Sequence, residues 1–149
     1  MKFVFDFGSV LFRWRPRALM RRAMPHLAHD EASAEHWVDQ AFQGSGGDWA
    51  EFDRGTIEPE ALKARIVART GLANSDVRRV LDEVPRELLP IPETVHLLDR
   101  LRSTGQPMFY LSNMPAPFAD HLERSHDFIR WFQDGVFSAR VKLIKPEPA

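Results

Sequence analysis

The sequence contains no cysteine among its 149 residues. Disulfide bonds, thiolate nucleophiles and cysteine-ligated zinc are therefore excluded for this stretch of chain, and such a composition is typical of the reducing cytoplasm. The sequence also lacks an apolar run near the roughly 18 residues of a membrane-spanning helix, and its first residues lack the pattern of a signal peptide. We therefore expect a cytoplasmic protein that does not contact a membrane.

A strong net charge is absent as well, since 20 basic and 21 acidic residues give a formal charge of -1 at pH 7. Without a basic field, or aromatic residues along a basic groove, we expect no nucleic-acid partner. The hydrophobic fraction of 44% and the charged fraction of 28% are typical of a soluble globular domain. The length allows one core with an inserted subdomain, and the sequence does not indicate an oligomeric state.

The stretch KFVFDFGSVL, near the start of the chain, predicts the first strand and the first candidate functional group. A short apolar run, Phe3 to Phe5, leads to the single acid Asp6, and Gly8 then begins a turn. Open parallel sheets bind their ligands at the carboxyl ends of the strands. We therefore interpret this stretch as a buried strand that carries a carboxylate at its functional end.

Two further strands are predicted in the last third of the sequence. Met108 to Leu111 is apolar and is followed by Ser112, and Gly135 to Ser138 predicts a third short strand before a loop that contains Lys145. Because parallel strands end at the same edge of a sheet, we expect Asp6, Ser112 and Lys145 to converge.

These three residues have a shared chemical logic. A carboxylate such as Asp6 can attack phosphorus, the Ser112 hydroxyl and a neighbouring amide can hold phosphate oxygens, and Lys145 can neutralise charge on both. Each also has an ordinary structural explanation. An aspartate after a strand is often a turn former, a Ser-Asn pair is often a cap, and a loop lysine is often solvated.

Four short amphipathic helices are predicted between residues 15 and 90, where apolar residues recur at helical spacing. The third is predicted to begin near Pro59 and to end at Gly71. The glycine-rich QGSGGD cluster at 43–48 is interpreted as a turn.

The prolines at positions 85, 90 and 92 are interpreted as the end of the helical stretch. Strands and helices alternate outside this stretch, which favours an α/β fold. We therefore predict an α/β core formed by residues 1–14 and 91–149, with the helical segment 15–90 inserted after the first strand.

The order FDFGSVL, FYLSN and IKPEPA, with a helical insertion after the first, resembles the haloacid dehalogenase-like (HAD) hydrolase superfamily in its helical-cap subgroup. The phrase FDRGTIEPEAL, and LSN followed by KPEP, are similar to small sugar-phosphate phosphatases whose first motif reads DxGxV. The resemblance spans residues 3–148. It implies a Rossmann-like parallel sheet with a four-helix cap, and a Mg²⁺-dependent phosphatase that acts on a small phosphorylated metabolite, with a sugar phosphate favoured.

The resemblance also implies a role for each matching residue. Asp6 is expected to be the nucleophile that forms an aspartyl-phosphate and a ligand of Mg²⁺, and the backbone carbonyl of Gly8 a second ligand. Ser112 and the amide of Asn113 are expected to bind the phosphoryl group. Lys145 is expected to pair with Asp6 and with the phosphate.

In capped relatives the insertion covers the active site, so four residues are candidates for substrate contacts: Trp14, Arg15, Trp49 and Arg54. Each of them has an ordinary packing or salt-bridge alternative.

One departure from the family pattern concerns the general acid. Family phosphatases usually carry a second aspartate two residues after the nucleophile, and Gly8 stands there. General acid catalysis typically contributes about 10² to 10⁴ in rate, so its loss should slow the enzyme without abolishing turnover. We expect the smallest penalty for weakly basic leaving groups, such as an anomeric sugar oxygen or an acyl group.

A second departure concerns the acidic fourth motif that completes the Mg²⁺ site in this family, since the 149 residues end before it. We therefore expect the core to be incomplete at its C-terminal end and the 149 residues to be a portion of a longer polypeptide. On their own they are expected to bind Mg²⁺ poorly and to have little phosphatase activity. A smaller departure is Lys142, where relatives commonly have glycine and where we expect a solvated side chain.

Three alternatives remain open at this stage. A dehalogenase acting on 2-haloacids also uses an aspartate nucleophile, although such relatives usually have an aromatic residue at the place of Gly8. A non-catalytic binding protein on the same fold is favoured by Gly8 and by the missing fourth motif. A histidine-based metal hydrolase is disfavoured because the histidines, such as His26 and His121, form no HExxH or comparable ligand pattern.

Overall fold

Three parallel β-strands form the sheet in the computed structural model, which describes residues 1–148. The strands are β1 (Phe3–Phe5), β2 (Met108–Ser112) and β3 (Asp134–Phe137), in the order β1-β2-β3. Phe5 pairs with Tyr110, which in turn pairs with Gly135, and both strand pairs are parallel. The predicted α/β fold with a parallel sheet is therefore confirmed.

Eight α-helices follow β1 within residues 1–148. Their bounds are α1 Pro16–Ala23, α2 Glu31–Phe42, α3 Gly47–Arg54, α4 Pro59–Thr70, α5 Asn74–Glu87, α6 Pro92–Ser103, α7 Ala116–Ser125 and α8 Ser138–Val141. Two 3₁₀ turns lie at Gln43–Ser45 and Asp127–Trp131. No helix of the described residues is long and apolar enough to span a membrane.

Local chemistry explains where several of these helices begin and end. Asp30 and Ser33 form a capping box at the start of α2, in which each side chain accepts a hydrogen bond from the other residue's backbone amide. Pro59 opens α4, and Gly71 ends it with a φ of 73°, a left-handed conformation that glycine adopts without steric cost. The bounds predicted from Pro59 and Gly71 are therefore correct.

The helical segment between β1 and α6 contains five α-helices rather than the predicted four. The additional helix is α3, which begins at Gly47 inside the cluster that we interpreted as a turn. The prediction was also wrong at Pro85, because α5 continues through this proline to Glu87. A proline in the last turn removes only one hydrogen bond near the frayed end of a helix of 14 residues. The division of the chain at residues 15 and 90 stays a prediction.

One face of the sheet packs into the core. Phe7, Phe12 and Phe137 are among the largest fully buried side chains. The ring centroids of Phe7 and Phe137 lie 5.0 Å apart. On the opposite face Val4 is 65% exposed and Leu111 is 42% exposed. In the described residues β1 has a neighbouring strand on one side only.

Candidate active site

Asp6 and Lys145 meet beyond the carboxyl end of β1, as the sequence predicted. The ammonium of Lys145 donates a hydrogen bond to Oδ2 of Asp6 at 2.7 Å and another to the carbonyl of Leu111 at 2.9 Å. The backbone amide of Phe7 donates to Oδ1 of Asp6, also at 2.7 Å. A carboxylate and a cation are thus fixed side by side at the edge of the sheet, where each can meet a phosphoryl group.

Asn113 holds Lys145 in place through its side chain. Its Oδ1 accepts a hydrogen bond from the backbone amide of Lys145 at 2.8 Å, and its Nδ2 donates to the Lys145 carbonyl at 3.2 Å. The family resemblance implied that the backbone amide of Asn113 binds the phosphate, whereas this clamp from its side chain was not predicted. Since the two residues lie 32 positions apart, no local pattern indicates the pairing.

Ser112 lies beside this group but is turned away from solvent. It is the last residue of β2 and is 2% exposed, and its hydroxyl donates a long hydrogen bond of 3.5 Å to the Asn113 carbonyl. It is not among the residues that line the cavity described next. The structure therefore brings Asp6, Asn113 and Lys145 together, with Ser112 behind them.

A cavity of about 180 Å³ opens above Asp6. The sheet side contributes Asp6, Gly8, Asn113 and Lys145. The other side is formed mainly by the helical segment and by the start of α7, with Trp14, Ser45, Trp49, Asp53, Val84, Leu88, Met114, Pro115 and Phe118. Charged groups thus occupy one side of the cavity, whereas the opposite side is largely apolar.

Two of the four substrate-contact candidates from the helical segment line this cavity, namely Trp14 and Trp49. The other two are engaged elsewhere. Arg15 donates from Nε to the carboxylate of Glu87 at 2.7 Å, and Arg54 pairs with Glu147. Neither arginine is among the lining residues. The partners lie far away in sequence, so the residue type alone could not reveal these pairs.

An aromatic cluster fixes the apolar wall. Phe42 lies between the two tryptophans, with ring centroids 5.4 Å from Trp14 and 4.5 Å from Trp49, both in edge-on geometry. Trp49 in turn lies 6.5 Å from Phe118, in a stacked arrangement. Such packing restrains the side chains, so the wall is formed before any ligand binds.

Asp53 is the carboxyl group that the sequence analysis missed. It lies on α3, is 6% exposed and lines the cavity. Within residues 1–148 its carboxyl takes part in no hydrogen bond or ion pair, although its backbone carbonyl accepts a hydrogen bond from the Ser138 hydroxyl at 2.5 Å. Burial raises the pKa of Asp53 from 3.8 to about 7.

The end of α3 is held closely against α8. Gly55 has a φ of +74°, and a Cβ there would lie 2.5 Å from the carbonyl oxygen of Ala139, so both conformation and space require glycine. The Ser138 hydroxyl also accepts a hydrogen bond from the Met114 amide at 2.9 Å. Lys142, expected to be solvated, is exposed but donates to the Gly55 carbonyl. These contacts place Asp53 at the cavity.

The chemistry of the donor set tests whether this site fits Mg²⁺. Within residues 1–148, no group of three or more His, Cys, Asp or Glu side chains is arranged for a metal ion. Asp6 offers a carboxylate, and the carbonyl of Gly8 has no hydrogen-bond partner in the same range. Protein sites for Mg²⁺ often use one or two carboxylates, with phosphate oxygens and waters as the other ligands. The residues therefore fit an ion shared with a bound phosphoryl group.

The histidines give no support to the histidine-based alternative. His26 lies 3.2 Å from Asp76 and His29 lies 3.6 Å from Asp30, so each has an ordinary carboxylate neighbour. Burial lowers the pKa of His126, whose ring packs 5.2 Å from that of Phe12.

No protein-family model matches the chain. The chain is similar to the sesquiterpene phosphatase astK of Aspergillus oryzae, with 26% identity over 146 residues, which cover 97% of this chain and 67% of that protein.

Solved structures show the same fold. The HAD family enzyme BT-2542 of Bacteroides thetaiotaomicron, in complex with magnesium and inorganic phosphate, superimposes with a TM-score of 0.71 at 19% identity over 98% of this chain and 72% of that chain. The L-2-haloacid dehalogenase of Xanthobacter autotrophicus, with chloropropionic acid covalently bound, gives a TM-score of 0.61 at 15% identity over 98% of this chain and 60% of that chain. The chain thus has the fold of HAD-like hydrolases, and the resemblance predicted from the motifs is confirmed at this level.

Proposed function

We propose that the full-length protein is a phosphatase with the HAD fold, which hydrolyses a small phosphomonoester through an aspartyl-phosphate on Asp6. The observation that carries the proposal is the Asp6–Lys145 pair, joined at 2.7 Å and facing a cavity at the carboxyl end of a parallel sheet. The similarity to a curated phosphatase supports phosphorus, rather than carbon bound to halogen, as the atom attacked.

The residues have distinct tasks in this reaction. A carboxylate oxygen of Asp6 attacks phosphorus, and the bond between phosphorus and the alcohol oxygen breaks. The ammonium of Lys145 offsets the negative charge of Asp6 and of the phosphoryl oxygens, and Asn113 keeps Lys145 in place. Water then attacks phosphorus, which releases phosphate and restores Asp6. Mg²⁺, held by Asp6, the Gly8 carbonyl and the phosphoryl group, would supply further charge neutralisation.

The cavity wall supports a leaving group that is at least partly apolar. Trp14, Trp49 and Phe118 present ring surface opposite the charged edge, and this surface gives few partners to the hydroxyls of a sugar. A volume of about 180 Å³ is below the roughly 300–1,000 Å³ of common ligand pockets. A phosphoryl group and a short apolar group would fill it, and a longer chain would extend through the opening. The motifs favour a sugar phosphate, so the two classes need a direct comparison.

The test compares phosphate release from two esters of primary alcohols in the presence of Mg²⁺. Isopentyl phosphate carries an apolar group, and a hexose phosphate esterified at its primary alcohol carries hydroxyls, while both have similarly basic leaving groups. We expect kcat/KM to be about tenfold higher for the isopentyl ester, since two buried methylene groups contribute about 1.6 kcal/mol and a tenfold change corresponds to about 1.4 kcal/mol. The reverse order would favour the sugar phosphates.

Asp6→Asn tests the nucleophile, with Asp39→Asn as a matched control on an exposed carboxylate of α2. We expect Asp6→Asn to abolish both phosphate release and phosphate labelling of the protein, and Asp39→Asn to change neither. Folded, full-length wild-type protein that releases no phosphate from either ester would contradict the proposal. Halide release from a 2-haloacid would instead assign dehalogenase chemistry to the same carboxylate.

A further inference from the structure

The sheet side of the cavity lacks a proton donor for the leaving group. An alcohol leaves phosphorus as a strongly basic oxygen, so its departure is accelerated by a positioned acid. Gly8 has no side chain that could donate this proton, and a Cβ at this position would have no atom within 4 Å. Asp6 is committed as the nucleophile, and Lys145 is bound to it at 2.7 Å. The space beside the nucleophile is thus open on this side.

The opposite side supplies an uncommitted carboxyl group. Asp53 lines the same cavity as Asp6 and Lys145, and it is 6% exposed. A buried carboxyl is normally engaged by a cation or by hydrogen-bond donors, because its desolvation is otherwise costly. Within the described residues the Asp53 carboxyl has neither kind of partner. Among the described residues that line the cavity, Asp53 thus provides a carboxyl group that neither a cation nor a hydrogen-bond donor holds, whereas Asp6 is paired with Lys145.

Backbone contacts keep this carboxyl at the cavity. The Ser138 hydroxyl donates to the Asp53 carbonyl at 2.5 Å and accepts from the Met114 amide at 2.9 Å, so one buried hydroxyl ties α3 to the segment that follows β2. Gly55, two residues later, packs against Ala139 with no room for a side chain. The position of Asp53 is thus determined by the core and not by a mobile loop.

We propose that Asp53 is the general acid of this site, supplied by α3 in place of the residue that Gly8 lacks. The proposal rests on the proposed phosphatase function. As Asp6 attacks phosphorus and the bond to the alcohol oxygen breaks, the Asp53 carboxyl gives its proton to that oxygen and becomes a carboxylate. In the second half of the reaction the carboxylate takes a proton from the attacking water, the bond between phosphorus and Asp6 breaks, and both aspartates return to their starting states.

The protonation state of Asp53 suits this role. Burial raises its pKa to about 7, so a substantial fraction of the molecules carry the proton near neutral pH. The charged groups that share its cavity are Asp6 and Lys145, which neutralise each other. Most other cations on α3, α4 and α8 are held by carboxylates elsewhere: Arg54 by Glu147, Lys63 by Glu60, Arg65 by Asp48 and Glu51, Arg69 by Asp48, and Arg140 by Asp120 and Glu123. Lys142, at the end of α8, donates instead to the Gly55 carbonyl.

This assignment reverses one expectation from the sequence. Without a general acid, the enzyme should favour weakly basic leaving groups. With Asp53 as the acid, the wild-type protein should also hydrolyse alkyl esters well, and the predicted preference should emerge only when Asp53 is replaced.

The experiment measures kcat/KM of Asp53→Asn for two esters, with Asp39→Asn as the control. Isopentyl phosphate has a strongly basic leaving group, and para-nitrophenyl phosphate has a weakly basic one. We expect Asp53→Asn to lose about 10²- to 10³-fold with isopentyl phosphate and less than about fivefold with the nitrophenyl ester. The decrease in kcat/KM for isopentyl phosphate at high pH, which we expect for the wild-type protein, should be absent in Asp53→Asn. Asp39→Asn should match wild type with both esters.

A second variant distinguishes proton donation by Asp53 from a merely structural role of this residue. Gly8→Asp placed in the Asp53→Asn background should restore turnover of isopentyl phosphate at least tenfold, because it provides an acid in the open space beside Asp6. Equal losses with both esters in a folded Asp53→Asn protein would overturn the proposal and indicate a role in binding. Folded, full-length wild-type protein without turnover of either ester would overturn the phosphatase function itself, so the two failures are distinguishable.

Discussion

Two buried carboxyl groups of the helical segment have opposite surroundings. Glu87, at the end of α5, is 1% exposed and accepts hydrogen bonds from Arg15 and Arg22, both at 2.7 Å. Asp53, at the end of α3, is 6% exposed and has no such partner among residues 1–148. Only Asp53 lines the cavity above Asp6.

Their protonation differs accordingly. Burial by itself would raise the pKa of Glu87, but the hydrogen bonds from Arg15 and Arg22 outweigh it and lower the pKa below its usual value. Burial without such partners raises the pKa of Asp53 to about 7. Hydrogen bonds from two arginines thus distinguish Glu87, a carboxylate that joins helices, from Asp53, a carboxyl that can exchange a proton at neutral pH.

The largest effect on stability is expected for Asp53→Asn. The folded protein binds the Asp53 proton more tightly than the unfolded chain does, so wild-type stability falls as pH rises from 3.8 to about 7. This pKa difference corresponds to roughly 4 kcal/mol of unfolding free energy. Asparagine at position 53 cannot ionise, so the variant avoids this loss. We expect Asp53→Asn to raise the free energy of unfolding by up to about 4 kcal/mol above pH 7 and to lose this advantage near pH 4.

Urea unfolding of wild type and Asp53→Asn across this pH range measures the effect. Parallel curves for the two proteins would show that Asp53 titrates like an exposed carboxyl, and the contrast with Glu87 would disappear.

Glu87→Gln should act in the opposite direction. The lowered pKa of Glu87 means that its contribution is present above the unfolded value of 4.5 and is lost as pH falls through the folded value. Arg15 and Arg22 are 55% and 41% exposed, and water therefore screens part of the loss. We expect a cost of about 2 kcal/mol at neutral pH that shrinks in acid.

The matched control for Glu87 is Glu31→Gln, which removes a 66% exposed carboxylate from its pairs with Arg17 and Arg21. Its expected cost is below about 0.5 kcal/mol in urea unfolding. Equal costs for both variants would mean that burial adds nothing to the Glu87 pairs.

A smaller effect is expected for Ser138→Ala, which removes the hydroxyl between Asp53 and Met114. The variant leaves a buried carbonyl and a buried amide without their partner, which should cost about 1–2 kcal/mol at every pH. Turnover of isopentyl phosphate should fall more than that of the nitrophenyl ester, because Asp53 loses its support. Ser103→Ala removes an exposed hydroxyl and should change neither the free energy of unfolding nor turnover. Similar behaviour of the two variants would contradict a role for the Ser138 hydrogen bonds in holding Asp53 in position.

The residues on the sheet side of the site could be predicted from the sequence because they come after predicted strands. An apolar run followed by one acid predicted Asp6 at a strand end, and the order of the motifs predicted that Lys145 would reach it, which the 2.7 Å contact bears out in the structure. The clamp from Asn113 was missed, since its partner atoms belong to the backbone of Lys145 and leave no mark on residue type.

The helical side was far less predictable. Three glycines at 44, 46 and 47 suggested a turn and concealed the start of α3, so the helix that carries Asp53 was not predicted. A charged residue next to Phe52 and Arg54 looks exposed, and its burial depends on packing against α8 and α7 that is not encoded locally. Arg15 and Arg54 were predicted as substrate contacts for the same reason, because the carboxylates that hold them lie far away in the sequence.

Arg15→Gln tests that last point and has the smallest expected effect. Glu87 would keep Arg22 and the backbone amide of residue 15 as donors, so we expect a loss of only about 0.5–1 kcal/mol in urea unfolding. Because Arg15 lies outside the cavity, kcat/KM for isopentyl phosphate should stay within twofold of wild type. A loss of tenfold or more with normal stability would return Arg15 to the substrate site that the sequence proposed. In that case Glu87 would position a binding residue, and the two buried carboxyls would both serve the reaction.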